Sequence, residues 1–137
     1  MKLYDPDSIA AYLEQNDPIL EAQVDFLKTV ANRHRLRIIM ALGQVGGEME
    51  QRDLQKILGV SKANLSQHLT ILRTAGIVAS RPSGRVTYLS LRYPAIKDAC
   101  SMVRDVIARR ASELLPGGLD SPVMEEKTVS KKKGASK

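Results

Sequence analysis

Apolar and polar positions along the first 115 residues form a series of helical stripes, interrupted once by a strand-like segment. Asp7–Glu14 reads as a short helix, with Asp7 or Ser8 as N-cap before Ile9, Tyr12 and Leu13. Asp17-Pro18 starts a second helix, because proline is tolerated in a first turn. Its stripe is Leu20, Val24, Leu27 and Ala31. A third helix runs from about His34 to Leu42, with Leu36, Ile39 and Met40 apolar, and is stopped by Gly43 and Gly46-Gly47. A fourth covers Glu50–Leu58, with Leu54, Ile57 and Leu58 apolar. Gly59 ends it, and Ser61 N-caps a fifth helix that runs to about Ala75, with Gly76 just past its end.

The period then changes. Ile77–Ser80 and Val86–Leu91 are β-rich runs flanking Arg81-Pro82-Ser83-Gly84-Arg85, which reads as a hairpin with a Pro/Gly loop. Pro94 opens a last helix to about Leu115, striped by Ile96, Ala99, Cys100, Val103, Val106, Ile107 and Leu114. Helix, Gly-containing turn, helix, then hairpin is the order of a winged helix-turn-helix. The expected class is mainly α with a β-hairpin wing. An N-terminal extension helix would occupy residues 1–18 and the winged helix-turn-helix domain residues 19–115. Residues 116–137 read as a disordered basic tail containing Lys131–Lys133.

Composition narrows the function. The 137 residues carry a formal charge of +6, which points to an anionic partner. The charge is uneven: residues 1–30 sum to −4, whereas residues 61–92 sum to +5 without a single carboxylate. That acid-free segment is the natural polyanion face. No helix has the lysine-rich polar face of a membrane-surface segment, and no stretch is apolar enough to span a bilayer, so the expected partner is double-stranded DNA. Trp is absent and only 4% of residues are aromatic, which argues against base-stacking readers of single strands. The single Cys100 excludes an intrachain disulfide and a multi-cysteine zinc site, and suits a cytoplasmic protein. With no P-loop and no Ser/His/Asp or Cys/His set in one neighbourhood, an enzyme is not expected. No cofactor is expected either.

At 100° per residue, Leu65, Leu69 and Leu72 fall within about 60° of arc and must face the core. Ala63, Gln67 and Thr70 then point away, flanked by Asn64 and Ser66. Asn and Gln can form bidentate hydrogen bonds with adenine, Ser can bond either kind of base edge, and Ala can touch a thymine methyl. Ser61 and Lys62 stand at the helix N-terminus, a favourable place for a phosphate. His68 lies about 60° from the core axis, where packing, phosphate contact and base contact are all open. Arg73 adds charge to the same helix. Arg81 and Arg85 flank the hairpin tip, where arginine can enter a minor groove or clamp phosphates, or simply guard an exposed hairpin.

These segments resemble a known family. Ala31–Ile39 is similar to the "A-D-P-x-R-L-R-I-L" signature of the arsenic-repressor (ArsR/SmtB-type) bacterial transcription regulators. Leu58–Leu69 resembles its "L-G-x-S-x-x-x-V-S-x-H-L", Leu72–Val78 its "L-R-x-A-G-L-V", and Arg81–Leu91 its "R-x-G-R-x-x-Y-x-L" wing. The resemblance implies a homodimer built from the N-terminal and C-terminal helices. It also implies a palindromic operator, repression, and release by an effector of unspecified identity.

Two features depart from the family. Metal sensors carry "E-L-C-V-C-D-L" where this chain has Glu48-Met49-Glu50-Gln51-Arg52-Asp53-Leu54, so Glu50 and Arg52 replace the two thiols. A soft-metal site is therefore not expected. The last helix lacks histidine, and Asp98 with Asp105 is a poor zinc set. Cys100 is read as a small apolar residue of the dimer interface, with a thiol sensor as the sharper alternative. The alternative to a sequence-specific regulator is an architectural protein that binds DNA by charge alone.

Overall fold

A computed structural model describes residues 2–115. The elements are α1 (Pro6–Val30), α2 (Arg33–Val45), β1 (Met49–Glu50), α3 (Gln51–Leu58), α4 (Lys62–Thr74), β2 (Val78–Ser83), β3 (Val86–Leu91) and α5 (Ala95–Leu114). The order is that of a winged helix-turn-helix. The described residues fall into two compact units that part after Lys97. The expected tail, 116–137, lies outside the described residues.

The two helices expected at the front are one. Asp5, rather than Asp7 or Ser8, is the N-cap: its carboxylate accepts from the Asp7 and Ser8 backbone N–H groups, and Pro6 takes the first helical position. Pro18 lies inside the helix, so the break at residue 18 is absent. A proline there has no N–H for the Glu14 carbonyl. Glu14 is exposed, and water can take that hydrogen bond. At 25 residues α1 is about 37 Å long, yet only Val30 is buried.

The core of the first unit lies between α2, α3, α4 and the sheet. Ile39, Leu54, Leu69, Leu72, Ile77 and Leu89 are fully enclosed. The "R-L-R" of the signature has a structural basis. Arg35 donates from Nε to the Thr29 carbonyl at 2.5 Å, and Arg37 donates to the Leu58 carbonyl at 3.2 Å. One guanidinium thereby ties the end of α1 to α2, and the other ties the end of α3. Such carbonyls have no intrahelical partner.

The sheet has three strands in the order β1-β3-β2, all antiparallel. The short β1 was not expected from the sequence. Register places Tyr88 between Arg81 and Glu50, and Leu89 between Ser80 and Met49. The hairpin loop is also shorter than the five residues expected. Ser83 pairs with Val86, so only Gly84 and Arg85 turn the chain, and Gly84 has φ of 61°. Positive φ at the first loop residue alone is the pattern of a type II′ turn, which favours glycine there. Pro82 sits within β2, an edge strand, where proline is tolerated.

Within the helix-turn-helix, Gly59 ends α3 with φ of 64°, and the Ser61 hydroxyl accepts from the Asn64 backbone N–H at 3.0 Å. That cap sets where α4 begins. Ser61→Ala is expected to cost about 1 kcal/mol of unfolding free energy, measured by urea denaturation.

Candidate nucleic-acid interface

The side of α4 that meets solvent is set by the side that cannot. Leu65, Leu69 and Leu72 are buried, as the periodicity predicts. Ser61, Lys62, Ala63, Gln67 and Thr70 are exposed, with Asn64 and Ser66 half-buried beside them. The Thr70 hydroxyl donates to the Ser66 carbonyl at 2.9 Å and so turns along the helix. The remaining outward groups are uncharged hydrogen-bonding side chains, a small alanine and one lysine. Among the described residues, no carboxylate lies anywhere between Ser61 and Arg92.

His68 does not share this outward face. Its ring stacks on His34 of α2, with centroids 5.1 Å apart and planes 22° from parallel. Its Nδ1 is enclosed and has no hydrogen-bond partner. Burial pushes its pKa below 6.5, and His34 and Arg35 push it the same way. Of the three roles open from sequence, packing is the one this geometry supports: the neutral imidazole seats α4 on α2.

Arg73 and Arg81 are partly committed to the scaffold. Arg73 donates to the Ser80 hydroxyl at 2.8 Å and joins the end of α4 to β2. Arg81 lies on β2 rather than at the tip. It donates from Nε to both Glu48 oxygens, and its guanidinium carbon stands 4.6 Å over the Tyr88 ring. Of these three arginines only Arg85 lies in the two-residue turn, and it is exposed. Glu48 was not singled out from sequence, because its partner is 33 residues away and meets it only through the sheet.

Where metal sensors of the resembling family would place two thiols, half-buried Glu50 and exposed Arg52 form an ion pair at 3.7 Å. Among the described residues, no group of three His, Cys, Asp or Glu side chains is placed to hold a metal. Cys100 is half-buried, and burial pushes its thiol upward, away from the thiolate a reactive cysteine requires.

Residues 32–80 match the model of the family described as "Bacterial regulatory protein, arsR family". The uncharacterized HTH-type transcriptional regulator Rv0081 of Mycobacterium tuberculosis is 33% identical over 102 residues, covering 72% of this chain and 86% of that protein. The chain belongs to the ArsR family. The crystal structure of Rv0081 superposes with a TM-score of 0.64 at 32% identity, over 72% of this chain and 98% of that one. The transcriptional repressor SdpR of Bacillus subtilis is 26% identical over 87 residues, covering 64% of this chain and 94% of SdpR. This ArsR-family chain is thus a transcriptional regulator with a winged-helix DNA-binding fold, not an enzyme. No described helix is long and apolar enough to cross a membrane.

The His68 geometry makes a pH prediction. Its pKa is lower in the fold than the ordinary 6.5, so the unfolded chain binds a proton more readily. The contribution is complete above pH 6.5 and is lost as pH falls through the lower folded value. Urea midpoints measured from neutral to mildly acidic pH should fall for the wild type and fall less for His68→Gln.

Proposed function

We propose that the chain acts as a homodimer that binds a palindromic operator, represses transcription from it, and is released by an effector acting on the dimer. The observation that carries the DNA-reading part is the exposed face of α4. It is acid-free and rich in uncharged hydrogen-bonding groups, and the buried leucines on the opposite side hold it outward.

Asn64, Ser66 and Gln67 are the base-reading residues, with Ala63 allowing close approach and touching a thymine methyl. Ser61 and Lys62 hold a phosphate at the start of α4. Arg73, Arg81 and Arg85 add backbone contacts along the helix end and the wing. Base edges discriminate between sequences, whereas phosphates set register and affinity.

Dimerisation is supported by apolar surface on each terminal helix. On α1, Ile9, Leu13, Leu20, Val24 and Leu27 recur at helical spacing and are exposed. On α5, Val103, Val106, Ile107 and Leu114 are exposed in the same way. An isolated helix with so little buried surface is marginal in water, so each stripe calls for a partner. In a two-fold dimer the two α4 helices would enter successive major grooves, with half-site centres about 34–36 Å apart. The likeness to the transcriptional repressor SdpR and to the family supports repression.

The test is competition between the chain's own promoter DNA and random DNA at physiological salt. Preferential binding to the promoter supports the reading, and equal competition leaves only charge-driven, architectural binding. Gln67→Ala is expected to weaken promoter binding by about 1–3 kcal/mol while leaving random DNA nearly unchanged, measured by fluorescence anisotropy. An equal loss on both DNAs would remove Gln67 from the base-reading set.

A further inference from the structure

Two of the basic residues assigned to the DNA face differ in their electrostatic surroundings. Among the described residues, Arg85 has no carboxylate partner, whereas Arg81 is paired with Glu48 at 2.8 Å. The pair is open to solvent, with 58% of the Arg81 side chain and 42% of the Glu48 side chain exposed. Tyr88 covers one side of the same guanidinium. The sheet register produces this arrangement. Arg81 is directly opposite Tyr88, Tyr88 is directly opposite Glu50, and such cross-strand neighbours share a face. Glu48 stands two residues before Glu50 and so comes round to the same side.

We infer that Glu48 is an affinity-limiting residue for DNA binding, acting through Arg81 to weaken attachment to the DNA backbone whatever its sequence. The inference rests on the reading of the wing as a DNA contact. A phosphate contact gains affinity chiefly by releasing counterions from DNA. Arg81 is already neutralised by Glu48. A phosphate therefore reaches it either by displacing the carboxylate or by sitting beside a like charge, within the screening distance of about 8 Å at physiological salt. That penalty is the same for every sequence, because it falls on a backbone contact. The base-reading side chains of α4 bear none of it. The net effect is lower affinity for random DNA at an unchanged discrimination by bases.

Glu48→Gln keeps the size of the side chain and removes its charge. The experiment measures binding of the full chain to a random-sequence duplex between about 50 and 200 mM salt. Glu48→Gln should bind more tightly than wild type at low salt. Its loss of affinity over that range should deepen by about threefold, the effect of one further phosphate contact. Adding Arg81→Ala should cancel the gain, and Glu48→Asp, which keeps the charge, should behave as wild type. Unchanged or weaker binding by Glu48→Gln, with an unchanged thermal midpoint, overturns the inference. Arg85→Ala in the wild-type background separates the two levels. If it flattens the salt dependence while Glu48→Gln does nothing, the wing still contacts DNA and only the role of Glu48 is wrong. If Arg85→Ala also does nothing, the wing reading itself fails.

Discussion

The burial of Leu65, Leu69 and Leu72 is the constraint on which the proposed DNA-reading surface depends. A helix can hide only one stripe, and α4 hides this one against the rest of the first unit. Once these three leucines are enclosed, Ala63, Gln67 and their neighbours have no choice but to face solvent. Truncating a leucine of this kind costs about 2–5 kcal/mol, several times the worth of any single surface contact. The functional face is therefore held in place by residues that never touch the ligand. The Ser61 cap fixes the start of the helix, the His34–His68 stack fixes its rotation on α2, and Arg73 fixes its end on β2.

The positive charge of the chain serves two purposes that composition cannot separate. Arg35 and Arg37 satisfy backbone carbonyls at helix ends and hold α1, α2 and α3 in register. Lys62 and Arg85 project into solvent and are free to meet a polyanion. Arg73 and Arg81 stand between these groups, each exposed yet each bonded within the protein. The acid-free segment from 61 to 92 keeps its local field positive, but Glu48 reaches into that field from outside the segment.

Local patterns carried most of the fold. The leucine spacing on α4, the Ser61 cap and the change of period after Gly76 are properties of neighbouring residues, and each reappears in the structure. Where the structure differs from the sequence pattern, the deciding interaction is not local or the local signal is degenerate. Asp5-Pro6 and Asp17-Pro18 are the same dipeptide, yet the first caps α1 and the second is carried through it. The strand β1 is only two residues long and exists because β3 offers it a partner. Extension of β2 through Pro82 depends on that strand being an edge, which topology decides. The Glu48–Arg81 pair and the His34–His68 stack both join residues more than 30 apart in sequence, so helical or strand periodicity had no means of showing them.

The central claim is that two copies of α4 read base edges in successive major grooves. Hydroxyl-radical footprinting on the chain's own promoter DNA tests it most directly. Two protected patches are expected on one side of the duplex, centred about one helical turn apart and related by two-fold symmetry. A single patch, or protection spread evenly along the DNA, would contradict it.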